Sequence, residues 1–183
     1  GYSTVFAVKS DGTLHGWGRN EHGELGVGSP APTIVAAPVP IGTGNGWADV
    51  SVGFEFSTGL SKDGRLFAWG NNQVGQLGLG DLVARAEPTH VGSDYDWKQV
   101  ATGAVHTLGL KADGRLYAWG ANADGQLGLG DYANRSVPTQ VGTANDWASV
   151  YASHYRSVAI KSDGRMFTWG SKAGSDGKTI SAP

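Results

Sequence analysis

Histidine is the side chain in this sequence best suited to acid–base or metal chemistry near neutral pH, and it stands at positions 15, 22, 90, 106 and 154. A metal site would need such ligands at helical His-Glu-x-x-His spacing, or cysteine beside them. Neither occurs, and the complete absence of Cys also excludes disulfides and a thiol nucleophile. A serine nucleophile on a strained strand-to-helix turn needs Gly-x-Ser-x-Gly, which is missing as well. Glycines 75, 78 and 80, and again 125, 128 and 130, resemble a phosphate cradle. The phosphate-binding loop then requires Lys followed by Ser or Thr. Asp81 and Asp131 stand there instead and would repel a phosphate. Carboxylates pair only at turn positions. The residues therefore predict no catalytic constellation, no metal and no cofactor, and a protein that is not an enzyme.

Charge narrows the partners. Fourteen Lys and Arg against sixteen Asp and Glu give a formal net charge of −2 without a basic cluster, which argues against nucleic acid. No apolar run approaches the ~20 residues of a membrane span. The 16% of charged residues, among many small polar ones, leans towards an extracellular or cell-surface setting. The chain begins at Gly1 rather than Met, which reads as a fragment, a processed product or the ordered part of something longer.

The elements that must position these residues repeat. Asp-Gly pairs stand at 11–12, 63–64, 113–114 and 163–164, spaced by 52, 50 and 50 residues. Trp17, Trp69, Trp119 and Trp169 each follow six residues after the Asp, and Trp47, Trp97 and Trp147 form a second ladder. All seven Trp thus belong to structural ladders. The pattern predicts a single repeat domain over 1–183: a first hairpin at 1–18, repeats at 11–62, 63–112 and 113–162, and a terminal partial repeat at 163–183.

Asp-Gly between apolar runs predicts a hairpin with a type I′ turn, in which both central residues have positive φ. "TLGLKA" at 107–112 and "RLYAWG" at 115–120 then pair antiparallel, and "TQVG" (139–142) and "WASVYA" (147–152) supply two more strands. No stretch carries helical periodicity with caps, so the fold is predicted to be all-β. Both sides of the strand after each turn are largely apolar, unlike a sheet with one solvated face. Four short antiparallel strands in about 50 residues, buried on both faces, predict the blades of a β-propeller. Burial of each such aromatic contributes roughly 1.5–3 kcal/mol.

Within the repeat, "GANADGQLGLGD" at 120–131 echoes "GNNQVGQLGLGD" at 70–81 and "GRNEHGELGVG" at 18–28. The phrase reads as scaffold. Its glycines allow left-handed turns, and Leu77 and Leu127 plug it into a blade. Asn20, Asn72 and Asn122 bond loop backbone, and Asp81–Arg85 and Asp131–Arg135 form local ion pairs.

"DGRLYAWGANADGQLGLGD…VPTQVG…W" together with "TGAVHTLGLKADG" resembles the repeats of the regulator of chromosome condensation family, over essentially the whole chain. Kelch repeats share the period but carry a Gly-Gly doublet, which is absent. The resemblance implies a seven-bladed ring in full-length members, of which this chain would form about half, in three to four blades. Such a partial ring leaves two apolar faces to be covered by the rest of a longer chain or by further copies of itself. One class within the family is an exchange factor for a small GTPase that uses a protruding insertion and an Arg-rich face; neither has a counterpart here. Another is an ultraviolet-B photoreceptor with "GWRHT" motifs; the matching stretch is "GAVHT" at 103–107, with Ala104 in place of Trp.

If sameness between copies marks architecture, difference marks where function can lie. Aligned on Asp-Gly, the copies diverge at "GYST" (1–4), "GFEF" (53–56), "GAVH" (103–106) and "SHYR" (153–156). These short connections should emerge on one rim. Tyr2, Phe54, Glu55, Phe56, Val105, His106, His154, Tyr155 and Arg156 are accordingly the expected partner-binding residues, because aromatics and Arg dominate protein contacts. Replacing Phe54 and Phe56 by Ser is expected to weaken partner binding without unfolding the chain. The sequence thus predicts a non-enzymatic protein-interaction module or self-assembling subunit. The alternatives are a guanine-nucleotide exchange factor for a small GTPase and a carbohydrate-binding propeller.

Overall fold

The structure, a computed structural model, describes residues 3–28, 31–44 and 46–171. Fourteen strands follow one another: β1 (Thr4–Val8), β2 (Leu14–Arg19), β3 (Ile34–Pro40), β4 (Trp47–Val52), β5 (Phe56–Ser61), β6 (Leu66–Gly70), β7 (Arg85–His90), β8 (Trp97–Thr102), β9 (His106–Lys111), β10 (Leu116–Gly120), β11 (Arg135–Gln140), β12 (Trp147–Ser153), β13 (Arg156–Lys161) and β14 (Met166–Gly170). They form four antiparallel meanders, β1-β2-β3, β4-β5-β6-β7, β8-β9-β10-β11 and β12-β13-β14. The fold is all-β, and no helix among the described residues is long and apolar enough to cross a membrane. A sequence period is not a blade: residues 63–112 supply β6 and β7 to one sheet and β8 and β9 to the next. Each period therefore ties two sheets together covalently.

The Asp-Gly turns differ from the predicted type. Lys111 N bonds Arg115 O at 3.0 Å and Gly114 N bonds Lys111 O at 3.0 Å. At these turns only the Gly has positive φ (82° at Gly114), and none of the four turn Asp does. The loop is thus three residues long, a type I turn closed by a left-handed Gly. The Asp side chain selects it: Asp113 Oδ1 accepts from Arg115 N at 3.1 Å, an Asx contact that holds Asp at negative φ.

Three clusters join the sheets in succession. Leu14, Ile41, Trp47 and Trp69 join the first and second. Phe56, Leu66, Leu77, Trp97 and Trp119 join the second and third. Leu110, Leu116, Leu127, Trp147 and Trp169 join the third and fourth. In the first two clusters the Trp pairs meet edge to face, Trp47 and Trp69 at 6.0 Å and 67° and Trp97 and Trp119 at 5.8 Å and 60°, the geometry that ring quadrupoles favour. Trp17 lies in the first sheet and is only half-buried. At the other end Met166 is 68% exposed, whereas its counterparts Leu66 and Leu116 are fully buried beneath a neighbouring sheet.

The repeated phrase latches one sheet to the next. Asn72 Oδ1 accepts from Leu77 N and Asn122 Oδ1 from Leu127 N, both at 3.0 Å, shaping the loop so that Leu77 and Leu127 enter the next junction fully buried. The Glu24 carbonyl then accepts from Trp69 Nε1 (2.9 Å) and Ser57 Oγ (2.8 Å) of the second sheet. The Gln126 carbonyl does the same for Trp169 Nε1 (3.0 Å) and Ser157 Oγ (2.7 Å) of the fourth. Asp81–Arg85 and Asp131–Arg135 both close at 2.6 Å. The Gly after each Trp is required here. Gly120 has φ of 99°, and a Cβ on it would lie 2.6 Å from the Val105 carbonyl oxygen.

Candidate functional site

The connections β4–β5, β8–β9 and β12–β13, with Ser3 just before β1, gather at one end of the strands. They are stitched side by side through the backbone: Phe54 N donates to Ala104 O at 2.9 Å, and Ala104 N to His154 O at 2.7 Å. Ser3 (φ 72°), Glu55 (66°) and His154 (47°) adopt left-handed backbone that L side chains disfavour, at roughly 1–2 kcal/mol each. Such positions are kept where the surroundings fix a side chain's direction.

The nine residues expected on this rim divide. Tyr2 lies outside the described residues. Phe54 (37% exposed), Tyr155 (45%), His154 and Arg156 reach the surface, and Glu55 and Val105 are half-buried. Phe56 and His106 do not belong with them, because both are fully buried. They open strands β5 and β9 one residue earlier than the sequence suggested, and strand alternation turns them into the junction with the next sheet. Phe56 is part of the apolar cluster there.

His106 is a polar stand-in at the same place. Its Nε2 lies 2.9 Å from Ser157 Oγ. Ser157 gives its proton to the Gln126 carbonyl, so Nε2 of His106 is the donor. Burial pushes the His106 pKa down to about 4, while the His154 carbonyl pulls weakly the other way. The ring is neutral at physiological pH.

Val52, Phe54, Thr102, Ala104, Ala152 and His154 line a groove of about 350 Å³ across three sheets. At the junction of the first and second sheets the rim becomes ionic. Arg19 Nη2 lies 2.6 Å from Glu21 and 3.4 Å from Glu55, and Arg19 Nε lies 3.9 Å from Glu24. His22 Nδ1 is 3.5 Å from Glu55, whose other oxygen accepts from Asn71 at 3.1 Å. The hydrogen bond to Glu21, with Glu24 and Glu55 near, holds the Arg19 pKa above its usual value. The Arg19 guanidinium also lies 6.0 Å from the Phe54 ring centroid, at the limit of cation–π attraction.

Sequence reasoning missed Arg19, Glu21, His22 and Glu24 because they fall inside the phrase read as scaffold. The signal was present in the columns. Arg19 stands where the other copies have Asn71 and Ala121, Glu21 where they have Gln73 and Ala123, and His22 where they have Val74 and Asp124. Among the described residues, no group of three or more His, Cys, Asp or Glu is placed to hold a metal ion. An aromatic, a guanidinium and carboxylates on one rigid rim suit recognition of another surface.

Comparison with known proteins agrees on the fold. The family model "Regulator of chromosome condensation (RCC1) repeat" matches residues 11–60, 63–110 and 113–160, and a second model of the same description matches 47–76 and 97–126. The chain is 35% identical over 85 residues to the ultraviolet-B receptor UVR8 of Arabidopsis thaliana, covering 46% of the chain and 19% of the receptor. It superposes on human WBSCR16 with a TM-score of 0.84 and 27% identity, over 98% of the chain and 51% of that protein. The yeast RCC1 protein Prp20, in its crystal structure bound to Kap60, gives a TM-score of 0.85 at 23% identity, over 99% of the chain and 46% of Prp20. The chain thus spans about half of these propellers and a fifth of the receptor.

Proposed function

Given that the chain belongs to the regulator of chromosome condensation (RCC1) repeat family, we propose that it is a non-enzymatic interaction module that presents the Phe54–Glu55–His154–Tyr155 rim to a protein partner. One observation carries this reading: the Asn, Leu and Gly positions of the latch recur from copy to copy, while the rim side chains differ at every copy, with Glu55 and His154 on left-handed backbone. Recognition needs a fixed frame and variable tips. Prp20, a propeller of the same fold, has been crystallised with a protein bound to it, which supports the class of activity without naming a partner here. Phe54 supplies an aromatic anchor beside the Arg19 ion pairs, and the groove between Phe54, Ala104 and His154 would receive a side chain of the partner.

The test is affinity capture from cells of the source organism with the parent chain and with Phe54→Ser/Tyr155→Ser. Proteins held by the parent should be lost from the variant, whose thermal midpoint should not change. Equal capture by both would remove this rim from the function. Acceleration of nucleotide release from a small GTPase at substoichiometric concentration would replace the module reading with an exchange factor.

The exposed Val5 and Met166 at the two ends are positions that the inner sheets cover with a neighbour. Further blades, from the same polypeptide or from a second copy, would cover them. Light scattering showing a well-behaved monomer of the 19.0 kDa chain would exclude the second copy.

A further inference from the structure

At the rim opposite the connections, the junctions carry an internal cation. Lys111 Nζ sits 5.1 Å from the Trp97 ring centroid and 5.4 Å from that of Tyr117. Asp94 and Asp96 hold it there at 2.7 and 3.0 Å. Lys161 Nζ repeats the arrangement in the next sheet, 5.0 Å from Trp147 and 5.8 Å from Phe167, with Asp146 at 2.8 Å. In each, an ammonium lies over the electron-rich faces of a Trp and a second aromatic ring.

The second sheet keeps the rings and loses the lysine, while Arg65 lies 5.8 Å from the Phe67 centroid just as Arg115 lies 5.8 Å from that of Tyr117. Trp47 and Phe67 meet at 5.2 Å and 66°, much as Trp97 and Tyr117 do at 5.5 Å and 75°. The lysine position is Ser61, and the two aspartate positions are Gly44 and Gly46. All three partners of the ion pair are therefore replaced together. Where the lysine would lie, a cleft of about 580 Å³ opens, lined by Trp47, Ser61, Arg65, Phe67, Glu87 and Pro88 among others. Arg65 is common to the sister sheets as Arg115 and Arg165, and here it is paired with Asp63 at 2.7 Å. Glu87 stands where the next sheet has Val137 and lines the cleft as a carboxylate with no ion pair among the described residues.

We propose that this cleft is an alkylammonium site that receives a lysine side chain from a partner protein, stacked on Trp47 and Phe67 with Glu87 as its counter-ion. The sister junctions show the occupant that such a ring pair takes, because there the chain supplies the lysine itself. That the lysine comes from a protein rather than a free amine rests on the interaction-module reading. The cage does not, and it lies on the opposite rim from Phe54.

The experiment follows the indole N–H resonance of Trp47 in the full chain during titration with N-acetyl-lysine methylamide. The resonance should move to saturation, with N-acetyl-norleucine methylamide, which lacks the charge, binding about tenfold more weakly. The double variant Ser61→Lys/Gly46→Asp rebuilds the internal lysine and its aspartate. Gly46 has open space around its Cβ direction, and the Trp97 resonance serves as a check that the fold is intact. This variant should lose the response completely, whereas Phe54→Ser should keep it. An unmoved Trp47 resonance, equal binding of the norleucine compound, or a response that survives in Ser61→Lys/Gly46→Asp would overturn the site. Binding of n-butylammonium as tight as that of the lysine compound would overturn the protein source while leaving the rim reading untouched.

Discussion

The junction between the second and third sheets and the junction between the first and second share one plan and differ at both rims. The former is closed. Lys111 covers its aromatic pair on one side, and on the other the latch and connection carry the uncharged Asn71, Gln76 and Val105. The latter keeps the same Trp pair and the same Leu plug. Yet it places Arg19, Glu24 and Glu55 on one rim and leaves Trp47 and Phe67 without a lysine on the other. The stabilising interior is retained at both junctions while the polar periphery is rewritten at only one. Burial of large apolar rings contributes most of the energy that joins sheets, so the rim can change at little cost to stability.

If the interior carries the stability, damage inside the closed junction should be severe. Trp119→Ala and Phe56→Ser should each destabilise the chain by roughly 3–5 kcal/mol, read from urea denaturation. For Phe56 this reverses the sequence-based expectation of a tolerated surface change, because the ring is fully buried. A midpoint unchanged in either variant would contradict the stacked-sheet core.

The third junction, with His106 in the place of Phe56, sharpens the contrast through pH. The folded pKa of about 4 lies below the ordinary 6.5, so the unfolded chain takes up the proton first as pH falls. The stability held by neutral His106 is complete above about pH 6.5 and is lost as pH drops towards 4, on the order of 3 kcal/mol in all. Below that no further loss is expected from this group. His106→Phe should flatten stability between pH 6.5 and 4.5 relative to the parent, and parallel curves would assign the acid sensitivity elsewhere.

Backbone strain comes next in size. Gly120→Ala should cost about 1–2 kcal/mol for the left-handed conformation alone, plus whatever is needed to relieve the approach to the Val105 carbonyl oxygen. Thermal melts would measure it, and a neutral outcome would mean that the Trp-Gly pair is not fixed by this contact. The smallest effect should come from the swap that makes the closed junction imitate the open one. Lys111→Ser should cost about 1 kcal/mol and make Trp97 responsive to the lysine probe.

Much of the scaffold was legible because its causes are local. Asn72 and Asn122 sit two residues beyond each Trp-Gly pair and were read as loop organisers. Their amide oxygens do accept from Leu77 and Leu127. Asp81–Arg85 was readable from spacing alone. The turn type was misread because Asp-Gly is compatible with two hairpin loops, and the Asx bond that selects the longer one is a three-dimensional contact. On the rim, a boundary error of one residue was enough to turn Phe56 and His106 from buried to exposed, since strand faces alternate with period two.

The sequence by itself determined the repeat, the all-β strands and the identity of the anchoring rings, because turns, alternation and ladder spacing are encoded by neighbours in the chain. Only the tertiary structure decided which side chains meet. Arg19 reaches Glu55 across 36 residues, and Trp47 and Phe67 share a cleft left open where Lys111 closes its counterpart. Such contacts form when separate sheets stack, and the distance between two residues in space is set by that packing, not by their separation along the chain.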